Sequence, residues 1–163
     1  MAQPNKAMKE ESFPPLVLSR TLQARRETVF KAWSTADHIK RWFSPETFTI
    51  PEAKIDMRVG GAFELRMRAP HGEEHSIRGV FAEVEPNVRL AIDMTIADGE
   101  GNKLFRAFTE IALADAGGGT RMDVKQTYTL IDPTKAWMIA GAPEGWRSTL
   151  DKLEKEVVRM QGG

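Results

Sequence analysis

The chain has 163 residues, 41% of them hydrophobic and 28% charged, with Lys plus Arg and Asp plus Glu both at 23. That length suits one domain with a sizeable core, and the zero formal net charge argues against a nucleic-acid binder, which carries a basic excess or stripe. The absence of cysteine excludes disulfides, thiolate catalysis and Cys-ligated zinc or iron–sulfur sites.

Residues 1–14 are polar and run into Pro14-Pro15. They read as a flexible N-terminal tail, with residues 15–163 as a single domain without an internal linker or repeat. The tail lacks the apolar run of a signal peptide. No stretch reaches the roughly 20 apolar residues that span a bilayer. The sequence therefore predicts a cytoplasmic protein with no membrane insertion.

Leu16, Leu18 and Leu22 recur at even spacing, which predicts a first strand over Leu16 to Ala24. The period then changes. Val29, Phe30 and Trp33 form the stripe of a short helix, and Ile39, Trp42 and Phe43 that of a second. Ser34 or Thr35 can cap the second helix, and Pro45 ends it. His38 is expected on its exposed side.

From Phe48 to Leu130 the chain reads as consecutive antiparallel strands. Gly60-Gly61, His71-Gly72, Pro86-Asn87, Asp98-Gly99 and Gly117-Gly118-Gly119 mark the turns. Phe63, Leu65 and Met67 alternate with charged residues. Leu90, Ile92, Met94 and Ile96 do the same, as do Met122, Val124 and Tyr128. In the strand from Leu104 to Leu113, Phe105, Ala107, Thr109, Ile111 and Leu113 are expected inward, because the opposite choice would bury Arg106 and Glu110. One face of such a sheet packs and the other is wet.

After Asp132-Pro133 the helical period returns. Lys135 to Ala140 predicts a short helix broken near Gly141. Pro143 suits the start of a longer one. Trp146, Leu150, Leu153, Val157 and Met160 mark its apolar face. Strands followed by segregated helices predict an α+β domain, with the last helix laid across a curved sheet.

Several residue patterns invite a functional reading. Trp33, Trp42, Trp137 and Trp146 are each read as core or as pocket lining. The methionines Met57, Met67, Met94, Met122, Met138 and Met160 suit irregular space, in a core or around a ligand. His71 and His75 flank Glu73 and Glu74, but Pro70 and Gly72 indicate a hairpin, so no metal site is predicted. Gly117 to Gly119 lacks the Lys-Ser/Thr of a phosphate loop and leads into a strand. Asp56 and Arg58 are expected to tie the turn before Gly60-Gly61. Glu83 and Glu110 have no evident partner, and Tyr128 is expected buried with its hydroxyl satisfied. No catalytic residue is assigned.

The segments Val29-Phe30-Lys31-Ala32-Trp33, Trp42-Phe43-Ser44-Pro45, Asp56-Met57-Arg58-Val59-Gly60-Gly61, Gly79-Val80-Phe81-Ala82-Glu83-Val84, Gly118-Gly119-Thr120-Arg121 and Gly145-Trp146 follow Arg20 in an ordered series. In their order and spacing the chain, over about residues 16–160, resembles the activator of heat-shock protein 90 ATPase homologue family of the START-like (SRPBCC) superfamily. The resemblance implies the helix-grip (START-like) fold, a curved antiparallel sheet wrapped around a long C-terminal helix with two short helices after the first strand. It also implies a small apolar cavity. The function expected from this is binding of a small hydrophobic or amphipathic ligand between sheet and C-terminal helix, without a cofactor. The pocket candidates are Trp42, Phe63, Leu65, Met94, Phe105, Tyr128, Trp146 and Leu150. The resemblance raises two alternatives, a pocket-based cyclase or hydrolase and a stress-related interaction domain that acts as a homodimer or a co-chaperone. A chaperone partner is the lesser expectation, since about fourteen residues precede the first strand and the eukaryotic co-chaperone carries a separate docking domain there.

Overall fold

Turn chemistry divides the chain into strands and helices, and the computed structural model describes residues 13–162. In chain order the elements are β1 (Leu16–Leu22), α1 (Arg26–Ser34), α2 (Ala36–Trp42), β2 (Thr49–Ile55), β3 (Ala62–Arg68), β4 (Glu74–Glu85), β5 (Arg89–Asp98), β6 (Lys103–Ala116) and β7 (Gly119–Leu130). A 3-10 turn (Pro133–Lys135) leads to α3 (Ala136–Ala140) and α4 (Ala142–Gly162). Of the expected N-terminal tail, residues 1–12 lie outside the described residues, and Phe13 packs against the core.

The turns fall where the sequence places them. Gly60, Gly72, Asn87, Gly117 and Gly118 all adopt positive φ. Asp56 and Arg58 form the expected pair, with Arg58 Nε 2.8 Å from Asp56 Oδ2. The seven strands form one antiparallel sheet in the order β1-β7-β6-β5-β4-β3-β2. Each hairpin places consecutive strands side by side, and β1 closes on β7 from the other end of the chain.

Alternation decides which face is buried. Leu90, Ile92, Met94 and Ile96 are buried, as are Phe105, Ala107, Thr109, Ile111 and Leu113. This is the inward choice that spares Arg106 and Glu110, which lie exposed and half-buried. Leu104 is buried too, beside a register irregularity between Ile96 and Ala97. Such a bulge bends the strand and re-aims a side chain. Further irregularities interrupt β2–β3 and β4–β5, which adds curvature to the sheet.

Gly79 shows how closely the strands approach. A Cβ built there would sit 2.6 Å from the Asp93 carbonyl oxygen and 3.0 Å from Met94 Cα and Cβ. Only glycine fits where another backbone comes this near.

The helices close the inner face. Thr35 caps α2 by accepting the His38 backbone N–H at 3.4 Å, and Pro143 sits in the first turn of α4. On α4, Trp146, Leu150, Leu153 and Val157 are buried, and Met160 is half-buried, as the stripe predicts. Polar ties fix its position. Arg20 of β1 reaches Asp151 and Glu154 at 3.1 and 3.3 Å. Lys152 Nζ donates to Ser44 Oγ at 3.0 Å and to the Pro45 carbonyl at 3.3 Å. No helix among the described residues is long and apolar enough to cross a membrane.

Three local expectations are corrected. His38 is half-buried rather than exposed, because its Nδ1 lies 2.7 Å from Oε2 of Glu156, which is buried on α4. Glu83 does have a partner, with Arg89 Nε 3.2 Å from Oε2. Trp137 is neither core nor pocket. It is 65% exposed, since α3 is only five residues long and turns Ile139 inward instead.

Two outcomes are expected. Gly79→Ala should overpack the β4–β5 contact and lower unfolding free energy by about 1–3 kcal/mol. Gly145→Ala, whose added Cβ meets nothing nearer than Pro45 Cγ at 3.8 Å, should be neutral or stabilise by up to about 1 kcal/mol through helix propensity. Denaturant melts compare the two. The second concerns Glu156. Burial disfavours its charged form, but hydrogen bonds from Arg159 and His38 outweigh burial and hold the carboxyl below its ordinary value of 4.5. A lowered folded pKa stabilises above the unfolded value and loses that stability as pH falls through the folded one. Wild type should therefore weaken increasingly below about pH 4.5, and Glu156→Gln should cost about 2 kcal/mol at neutral pH while flattening the acid decline. Equal acid slopes for the two proteins in pH-dependent melts would remove Glu156 from this role.

Candidate functional site

Polar side chains enter the inner face of the sheet at Arg20 of β1, which pairs with α4, and along β6 and β7. Period-two alternation brings Gln126 and Tyr128 to the same face of β7, and Thr109 of β6 stands directly across from Gln126. Gln126 and Thr109 are both buried, at 7% and 0% exposure. A buried amide is stable only when bonded. Gln126 meets that demand in two directions. Its Nε2 donates to Thr109 Oγ1 at 2.7 Å, and its Oε1 accepts Trp146 Nε1–H from α4 at 3.1 Å. A buried polar chain thus joins the helix to the centre of the sheet.

Tyr128 does not join this chain. Its hydroxyl is buried and has no hydrogen-bond partner, which corrects the expectation of a satisfied phenol. The ring packs edge-on to Phe105 with centroids 6.3 Å apart. Burial pushes its pKa well above the ordinary phenol range, so the group is a neutral O–H donor. The row across the sheet from Tyr128 runs through Ala107, Met94 and Gly79 to Phe63. Ala107, directly across from Tyr128, carries only a methyl group, and Met94 stands next in the row.

The second half of the site is aromatic. Phe43, just past the end of α2, makes edge-on contacts with Trp42 at 5.3 Å, Phe63 at 5.4 Å and Trp146 at 5.9 Å. Such geometries suit the ring quadrupoles. Trp42 is locked further by its Nε1–H bond to the Ala32 carbonyl at 3.0 Å. The indole N–H of Trp33 is buried without a partner.

The eight candidates are thus placed as follows. Trp42, Phe63, Leu65, Met94, Phe105, Trp146 and Leu150 are buried, and Tyr128 is half-buried. Trp42, Phe63 and Trp146 meet around Phe43, and Phe105 meets Tyr128. Trp146 faces the sheet as expected. Two surface cavities, of about 560 and 670 Å³, lie elsewhere, one along the outer side of α4 and one between Arg66, Arg78 and Lys103. None of the eight residues lines either cavity. Sequence reasoning missed Gln126, Phe43 and the role of Thr109. The signal for Gln126 was its even spacing between Val124 and Tyr128, which puts an amide on an otherwise apolar face.

The chemistry available here is holding rather than proton transfer. Gln126, Thr109 and Trp146 do not titrate near neutrality, and Tyr128 is moved away from the range of a general acid or base. His71 and His75 lie 3.1 and 3.7 Å from Glu73 in the β3–β4 hairpin. Among the described residues no group of three His, Asp or Glu could hold a metal ion.

Comparison with known proteins agrees with this architecture. The model of the family described as Activator of Hsp90 ATPase homolog 1-like protein matches residues 23–157. Comparison with curated proteins finds no significant match. Among solved structures, a Chromobacterium violaceum protein is 26% identical, with a TM-score of 0.73 over 88% of this chain and 96% of its own. A Nitrosomonas europaea protein is 25% identical, with a TM-score of 0.74 over 94% and 99%. The AHSA1 protein from Silicibacter pomeroyi, at 21% identity, shares the fold with a TM-score of 0.76 over 90% and 99%.

An unpartnered buried hydroxyl has a measurable consequence. Tyr128→Phe removes a desolvated group that bonds to nothing, so stability should stay level or rise by about 1 kcal/mol. A drop of more than about 1 kcal/mol in a denaturant melt would mean that the hydroxyl is bonded in solution.

Proposed function

The chain belongs to the Activator of Hsp90 ATPase homolog 1-like family, and from that premise we propose that it binds a small hydrophobic or amphipathic molecule between the inner face of the sheet and α4, without a cofactor. The observation that carries this reading is the Tyr128 hydroxyl, buried without a partner two residues from the Trp146–Gln126–Thr109 chain. Ligand sites are apolar with a few convergent polar groups. Unsatisfied buried polar groups are rare in folded proteins and call for an explanation. A bound molecule supplies the missing partner.

The interior has the means to open. Met67 and Met138 are half-buried and packed against the core, and unbranched thioethers rearrange at little cost. The binding reading is favoured over a cyclase or hydrolase because the groups that converge here hold a ligand rather than exchange protons with it.

Native mass spectrometry and tryptophan fluorescence against a panel of apolar and amphipathic molecules test the reading. Saturable binding with a shifted indole emission is expected, since Trp42 and Trp146 both belong to the site. Trp146→Ala sharpens the test. If the ring borders a ligand space, truncation should cost less than the roughly 3–5 kcal/mol of a fully packed aromatic and should change affinity. The full loss with unchanged affinity would make Trp146 a core residue only. Absence of saturable binding across the panel would overturn the reading.

A further inference from the structure

The inner face of β5 to β7 carries hydrogen-bonding capacity but no charge, and that combination selects a class of ligand. Three donors there remain unspent among the described residues. Tyr128 O–H has no partner. Thr109 Oγ1 accepts from Gln126 and has no recorded acceptor for its own proton, and the Gln126 amide donates only one of its two N–H groups. Thr109 and Gln126 are directly paired across β6 and β7, with Tyr128 next on the same face.

The arginines of α4 and β1 are paired with carboxylates. On α4, Arg147 pairs with Glu144, Lys152 bonds Ser44 and Pro45, and Arg159 pairs with Glu156. Arg20 is held by Asp151 and Glu154. An ionised carboxylate brought against Tyr128 would lose its water and gain no opposite charge. A neutral oxygen acceptor would lose less and accept a hydrogen bond from the phenol O–H.

Resting on the binding function proposed above, we infer that the ligand is an uncharged apolar molecule bearing a carbonyl-type acceptor, received by the Tyr128 hydroxyl beside the small side chain of Ala107, and that the site rejects a carboxylate of similar shape. Tyr128 acts as the specificity-determining residue. Phe105, packed edge-on to the phenol, and Met94, across Ala107, supply apolar walls on its β6 side.

Calorimetric titration of the full chain with three probes of one skeleton, benzophenone, diphenylmethane and diphenylacetate, tests this. Wild type should bind the ketone about fivefold to tenfold more tightly than the hydrocarbon, the worth of one net hydrogen bond, and should bind the carboxylate most weakly. Tyr128→Phe should erase the ketone's advantage and leave the hydrocarbon's affinity unchanged. Equal binding of ketone and hydrocarbon by wild type, or an advantage that survives in Tyr128→Phe, overturns the inference while the pocket stands. Tightest binding of the carboxylate also overturns it. If none of the three probes binds and the wider panel fails as well, the binding function falls together with the inference.

Discussion

One side chain, Gln126, constrains the interior. An amide carried into an apolar layer must find partners for both its ends or destabilise the fold by the cost of a stranded polar group. Thr109 across the strand answers the nitrogen, and the Trp146 indole answers the oxygen. Because Trp146 is the first buried residue of α4, this bond sets both where the long helix meets the sheet and how it is rotated about its axis. Leu150, Leu153 and Val157 then follow onto the same face at helical spacing. Slippage of the helix by one residue would break the bond and turn the apolar stripe toward water.

Around that fixed point the molecule divides its labour. The Trp42, Phe43, Phe63 and Trp146 rings interlock edge to face, which makes one end of the interior rigid. The other end holds Ala107, Met94 and the Tyr128 phenol, whose hydroxyl has no partner. The pairing of buried Glu156 with His38 anchors α2 to the far end of α4.

Much of this was legible in the sequence, and the reasons differ by element. The inward faces of β5 and β6 follow from strict alternation, because the wrong phase would bury Arg106. The hairpins follow from turn residues with few alternatives. The stripe of α4 follows from its period. Gln126 escaped notice because its side chain is polar, and a sequence pattern sorts polar residues outward unless their place in the alternation is weighed above their chemistry. The His38–Glu156 pair was hidden by distance along the chain, since each residue alone looks like part of a solvated helix face. Trp137 misled in the opposite direction. A large apolar side chain predicts burial, yet in this five-residue helix Ile139 is buried and Met138 half-buried, which leaves Trp137 on the outer side. The unpartnered state of Tyr128 could not be read at all, because satisfaction of a hydroxyl depends on what the fold places within three ångströms of it.

The sheet is a run of neighbouring hairpins except at one seam, where β1 pairs with β7 from Leu16 against Gln126 to Leu22 against Thr120. Nearly the whole domain lies between those partners in the chain. Contacts so distant in sequence form late, after the entropy of closing a long loop has been overcome. During synthesis β1 leaves the ribosome long before its partner exists. Until β7 arrives, Leu16 and Leu22 have no sheet to cover them, and the strand's backbone groups are open to pairing with other chains. Until β7 is made, β1 therefore stays an unpaired strand whose open backbone is a site for aggregation.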